Sequence, residues 1–297
     1  MKTFSIGDAA LEPFRLAFGR PLSTFVWGLV LLAPLALMGG ATVEMFRTMI
    51  AHASDPEGLH EALMAQSLGV QLWAQLAQLL QVVFAAVVSA AMIRAVFAGR
   101  GRDRALFLRI GMTELYVLIV LIAVAVGLFV AAVLVGLLLV GLGALMWGLP
   151  EGVKIPAYVL MGAAYVVGLL LLWGRLALIA PATVRSKTLA FEPGWKAGRG
   201  QTLRLFLMLL LSWIIGVVVS LIVWGVLIGV AVAAGAALGV GDAPSFDAWL
   251  EGAMANPALL WGGGGVLLLI VCWMQGLSQL MMVAPYARAL QNPTPEA

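Results

Sequence analysis

Residues 115–148 run for 34 positions without one charged side chain, and residues 205–239 do the same for 35. No aqueous core of a chain this size hides two such stretches. A bilayer does, because its hydrocarbon layer asks for about 20 consecutive apolar residues per helical crossing. Four more apolar runs accompany them, at 21–43, 70–93, 156–184 and 257–285. Composition agrees: 63% of the residues are hydrophobic and 10% charged, against about 45–50% and 25% in soluble domains. Helical runs rather than alternating strands exclude an outer-membrane barrel. The chain therefore reads as an all-α polytopic membrane protein with six transmembrane helices, forming a single integral domain over residues 1–297. At about 1.5 Å per residue the third and fifth runs reach roughly 50 Å. Each is too long for a straight crossing and too short for two, so strong tilt or an outer bend is expected.

Orientation follows the basic residues. Of the 17 Lys and Arg, only Arg47 and Lys154 fall in outer connections when the N-terminus is placed inside. The inner clusters are Arg15 and Arg20, then Arg94 through Arg109, then Arg185 through Arg204. The outer connections carry acids instead: Asp55, Glu57, Glu61, Glu151, Asp242, Asp247 and Glu251. Both termini are thus expected in the cytoplasm of a bacterium, with the chain in its inner membrane. Lys2 is followed by acids, and the first apolar run starts only at Pro21, which reads as a retained span rather than a cleaved signal. Cys272 is the single cysteine, so neither an internal disulfide nor a cysteine metal cluster can form. The net charge of +3 is too small to indicate nucleic acid.

Three similar units follow one another, at 1–100, 101–190 and 191–297. Each has a basic, amphipathic lead-in, an inbound span, an outer connection and a returning span. The first lead-in contains Leu11-Glu-Pro-Phe-Arg15 and the third Phe191-Glu-Pro-Gly-Trp-Lys196. In each, an acid and a proline suit a helix start, and the basic and aromatic residues after them suit a helix lying at the cytoplasmic surface. The second lead-in keeps the basic and aromatic character without Glu-Pro. Two returning spans also echo each other, Ile179-Ala-Pro-Ala-Thr-Val-Arg185 and Val283-Ala-Pro-Tyr-Ala-Arg288, and the proline in each is expected to break or kink its helix.

The stretch from Arg175 through Phe191-Glu-Pro-Gly-Trp to Phe206 resembles the central motif of a broad bacterial family of six-span inner-membrane proteins. That family includes YciC-type proteins and the membrane domain of some glycerophosphodiester phosphodiesterases. The resemblance covers the six-span layout loosely and residues 175–206 more closely, and it implies a fold rather than an activity. The phosphodiesterase activity of the fused relatives belongs to a separate soluble barrel, for which this chain has no counterpart.

Few residues offer chemistry. Gln71, Gln75 and Gln78 recur at helical spacing, with Val82, Ala85 and Ser89 continuing the stripe, and Gln275, Ser278 and Gln279 share a face of the last span. Amides facing lipid stay unsatisfied, so this intramembrane polar face is expected to point into the bundle, as interhelical glue or, alternatively, as a wet path. Gly225, Gly229, Ala233 and Ala237, like Ala123, Gly127 and Ala131, form small-residue stripes expected to let helices approach. Arg15, Arg20, Arg104, Arg109, Arg175, Lys196 and Arg199 are the candidate contacts for an anion or a lipid headgroup. His52, His60, Asp55, Glu57 and Glu61 lack a recognised metal-ligand spacing and read as a solvated acidic segment. A phosphate loop, a nucleophile elbow and a HExxH helix are all missing from the sequence. A non-enzymatic, cofactor-free accessory or scaffold component in contact with anionic lipids is the leading expectation. A transporter or channel for a small polar or lipid-like solute is the alternative, and a membrane-embedded enzyme acting on lipid, suggested only by the histidines and acids of residues 52–61, is the third. A second copy or another membrane protein stays open as a partner.

Overall fold

The structure is a computed structural model describing residues 4–51, 56–99, 105–148, 150–237 and 263–291. Among these the chain is helical, without strands. In chain order the helices are α1 (Ile6–Gly19), α2 (Pro21–Ala51), α3 (Pro56–Ala98), α4 (Met112–Leu145), α5 (Glu151–Leu176), α6 (Ile179–Ser186), α7 (Phe191–Ala197), α8 (Thr202–Ala237) and α9 (Gly264–Gln291). Among the described residues five stretches are long and apolar enough to cross a membrane: Gly69–Ala98, Met112–Leu145, Glu151–Ser186, Thr202–Val230 and Gly265–Gln291. A sixth is reached if Ile6–Gly19 and Pro21–Ala36 count as one span bent by 98°. The bend falls at Arg20, where the following proline disfavours helical geometry in the residue before it. The Arg20 N–H still donates to the Leu16 carbonyl at 2.8 Å, and the Thr24 hydroxyl covers the Arg20 carbonyl at 3.1 Å. The long third and fifth runs form the single unbroken helices α4 and α8.

The chain divides into two compact units. One comprises the chain up to Pro13, Ala85–Leu211 and the chain from Met282; the other comprises Phe14–Phe84 and Ser212–Met281. In the first, the end of α3 is buried on every side, at Val88, Ala90, Ala91, Met92, Ile93, Ala95 and Val96. A helix apolar all round belongs inside. A second cluster joins Phe4 and Ala9 to Leu178, Leu205, Met208 and Tyr286. Asp8 and Glu12, one helical turn apart on α1, both face Arg288 in the last turn of α9. The Arg288 Nη2 lies 3.1 Å from the Asp8 carboxylate, and its Nε lies 3.7 Å from that of Glu12. This clasp puts the first and last helices of the chain at the same place in the unit.

Past its first turns α4 exposes Val130, Leu134, Leu137, Leu138 and Val140, an apolar surface that lipid or another apolar helix would cover favourably. It is held to α5 by two tyrosines seven residues apart. Tyr165 donates to the Ala132 carbonyl at 3.1 Å and Tyr158 to the Gly143 carbonyl at 3.0 Å. The echo between the two returning spans holds only in part. Ala177 and Leu178 interrupt the helix before Pro181, which sits in the first turn of α6, where its missing N–H costs nothing. Pro285 instead lies within the unbroken α9.

In the second unit Thr24, Trp27 and Leu31 of α2 are buried, as are Cys272, Leu277 and Leu280 of α9. The two helices touch backbone to backbone. A Cβ at Gly28 would run into the Cys272 carbonyl group, and one at Gly276 into the Thr24 carbonyl. The small-residue stripes expected to do this work do not: among the described residues a Cβ at Gly127, Gly225 or Gly229 would meet nothing within 4 Å. Four-residue spacing permits close approach but does not choose the partner. Near one end of this contact the Phe18 and Trp273 rings lie 5.6 Å apart, tilted by 51°.

Candidate anion and lipid contact site

The first unit collects the ends of three returning helices, and each brings an arginine: Arg94 on α3, Arg185 on α6 and Arg288 on α9. Arg94 and Arg288 are compensated. Arg94 forms an ion pair with Glu114 in the first turn of α4 and donates to the Phe107 carbonyl at 2.9 Å. The Glu114 side chain is 6% exposed and that of Arg94 22%, so the pair is largely shielded from water. Arg288 is held by Asp8 and Glu12, as above. Arg185 differs. Its Nη1 donates to the Leu290 carbonyl at 3.0 Å, and among the described residues no carboxylate pairs with it. Arg94, Arg185 and Gln291 line an open cavity of about 390 Å³, with Phe97 and Val184 as its apolar wall. The charge of Arg109 also acts on Arg94.

Beside this group, α6 turns into α7. The turn is tied by the Ala190 N–H, which donates to the Thr183 hydroxyl at 3.3 Å, and Lys187 closes α6 in the left-handed region at φ 57°. Gly194 lets α7 lie directly on α6, since a Cβ there would come within 2.6 Å of the Ile179 Cα. This seat brings Trp195 under Arg175, whose guanidinium carbon is 3.8 Å from the ring centroid, a cation–π stack. Arg175 Nη2 also reaches the Trp195 carbonyl at 3.5 Å. Lys196, Arg199 and Arg204 project outward from the same region, and Lys196 pairs with Glu192 at 2.5 Å, both of them well exposed.

Of the candidate contacts, Arg109, Arg175, Lys196 and Arg199 therefore fall in the first unit, with Arg175 stacked on Trp195. Arg15 is exposed on α1 and Arg20 half-buried at the bend, both within the second unit. Arg104 and His52 lie outside the described residues. The glutamine face is not buried as expected. Gln71, Gln75 and Gln78 are exposed, together with Leu72, Trp73, Leu76 and Leu79 around the same turns, whereas Ser89 at the inner end of the stripe is buried. Exposure along α3 follows depth rather than face, so a stripe drawn by angle alone crosses from an open segment into a buried one. Gln275 and Gln279 are half-buried.

Arg94, Glu114 and Arg185 escaped the reading of the sequence as site residues. Arg94 and Glu114 stand at the ends of consecutive apolar runs, which marks them as boundary charges but does not show that they pair. Comparison of the chain with family models, with curated proteins and with solved structures finds no match.

Proposed function

We propose that this protein is a non-enzymatic, cofactor-free component of a bacterial inner membrane that engages anionic lipids through its basic cytoplasmic end. The observation that carries this reading is the α6–α7 corner. An interfacial tryptophan lies beneath an arginine, with Lys196, Arg199 and Arg204 turned outward beside them. Aromatic rings favour the headgroup level, and each basic residue there contributes about 1 kcal/mol against a negative leaflet. Six spans, cytoplasmic termini and membership of the YciC-type group belong to the same proposal. So does the threefold organisation at 1–100, 101–190 and 191–297, which the three arginine-tipped returning helices support. The Asp8–Arg288 contact supports an even number of crossings, since it holds the two chain ends together.

The test is lipid retention. Protein purified with native lipid is compared with a variant carrying Arg15→Gln, Arg104→Gln and Arg199→Gln, at matched folding and orientation. Reduced anionic lipid in the variant is expected; equal retention would leave these charges only a topological role. Transport is the second reading, and the exposed glutamines favour it only if they border water. Loss of solute flux in a Gln75→Leu, Gln78→Leu variant of unchanged melting temperature would establish it.

A further inference from the structure

The ion pairs of the first unit follow a rule that is obeyed twice and broken once. The arginine ending the first returning helix, Arg94, pairs with Glu114, an acid of the second lead-in. The arginine ending the third, Arg288, pairs with Asp8 and Glu12, the acids of the first lead-in. By the same rule Arg185, ending the second, should pair with the acid of the third lead-in. That acid is Glu192, which precedes a proline as Glu12 does. Glu192 is turned away, onto Lys196 of its own helix. Arg185 is left with a backbone carbonyl as its partner and faces the cavity that Arg94 and Gln291 also line.

We propose that this cavity binds a phosphate-type oxyanion on Arg185, in the place that a third carboxylate would fill. A guanidinium presents five N–H donors. Arg185 spends one on Leu290 and Arg94 spends two, on Glu114 and Phe107, so both keep donors in reserve. Forked donors match the oxygens of a phosphate better than a point charge does. Glu114 neutralises Arg94, yet Arg185 and the nearby Arg109 keep the site positive. The volume of about 390 Å³ exceeds what one phosphate needs and leaves space for its substituent. Phe97 and Val184 give that substituent an apolar wall. The oxyanion is either the phosphodiester of a lipid headgroup or a free phosphate. Only the first source rests on the lipid reading above.

The experiment uses the full chain in a neutral detergent and two probes, short-chain phosphatidylglycerol and inorganic phosphate, titrated by calorimetry. Phosphatidylcholine serves as the zwitterionic control. Parent protein is expected to bind one equivalent of at least one anionic probe, about tenfold more tightly than Arg185→Gln does, the loss of a charged hydrogen bond. Saturation by inorganic phosphate identifies a free-phosphate site, and binding of phosphatidylglycerol alone identifies a headgroup site. Gln291→Glu tests the idea without touching Arg185. Gln291 Oε1 accepts from Arg288 Nη1 at 3.2 Å, so the substitution puts a carboxylate at the cavity wall beside Arg288. Its charge is expected to weaken anion binding by at least about tenfold while keeping or raising the melting temperature. Equal affinity in the parent and in Gln291→Glu, or in the parent and a folded Arg185→Gln, overturns the proposal, as does a parent that binds neither anionic probe. The Arg15, Arg104 and Arg199 variant separates the two readings. If it loses retained lipid while Arg185→Gln and Gln291→Glu bind as the parent does, the surface reading stands and this one falls.

Discussion

At the scale of single residues, Glu114 carries the clearest energetic consequence. Its carboxylate is almost wholly buried against Arg94, which lies in the buried end of α3. Removing one partner of such a pair strands the other charge, which costs about 3 kcal/mol or more. Glu114→Gln is therefore expected to lower the melting temperature in detergent markedly. Replacing both residues by leucine should recover much of the loss, because a matched apolar pair strands no charge. A Glu114→Gln protein as stable as the parent would show that Arg94 is solvated through its exposed fraction. How much of this was legible varies by residue. The Glu-Pro-Gly-Trp lead-in stood out in the sequence, and two of its residues have a clear place: the glycine seats α7 on Ile179, and the tryptophan carries Arg175. Pairing was not legible. Spacing along a chain reports which residues share a helix face, whereas Arg94 and Glu114 meet across a connection whose path the sequence does not reveal.

At the scale of elements, length and apolar content located the helices well, since both depend only on local sequence and the thickness of a bilayer. Which helices touch is a different matter. The stripe at Gly225 and Gly229 has the right spacing for close packing, yet among the described residues open space lies beside it; α2 and α9 instead meet closely at Gly28 and Gly276. Those two glycines drew no notice because no regular series contains them. The difference predicts opposite signs for one substitution. Gly28→Ala drives a methyl group into the Cys272 carbonyl and should destabilise by about 1–3 kcal/mol. Gly225→Ala meets nothing within 4 Å and should stabilise by about 0.5–1 kcal/mol, through the helix propensity gained. Thermal melts of the two variants in one detergent check the pair. A Gly225→Ala variant as damaged as Gly28→Ala would mean that the stripe is covered after all.

At the scale of the whole molecule the remaining question is which side of the membrane holds the basic end. In the topology proposed above it is the cytoplasmic side, because lysine and arginine near a span resist translocation while acids contribute little. The arginines that end α3, α6 and α9 lie in one unit together with Lys196, Arg199 and Arg204. That is a concentration of positive charge which insertion would have to drag across the bilayer if the topology were reversed. The clasp between Asp8 and Arg288 ties the first helix to the last, and in an inserted chain such a contact forms only when the crossings between the two residues are even in number. A bent first span meets that requirement with six crossings; five crossings, with α1 and α2 both held at one surface, do not. A reporter active only in the cytoplasm should thus give signal when fused after Ala297 or near Arg102, and none near Gly58 or Asp247. A silent C-terminal fusion with an active one near Arg102 would mean an odd number of crossings. The Asp8–Arg288 pair could not then form in the inserted protein, and charge reversal at Asp8 would leave its stability unchanged.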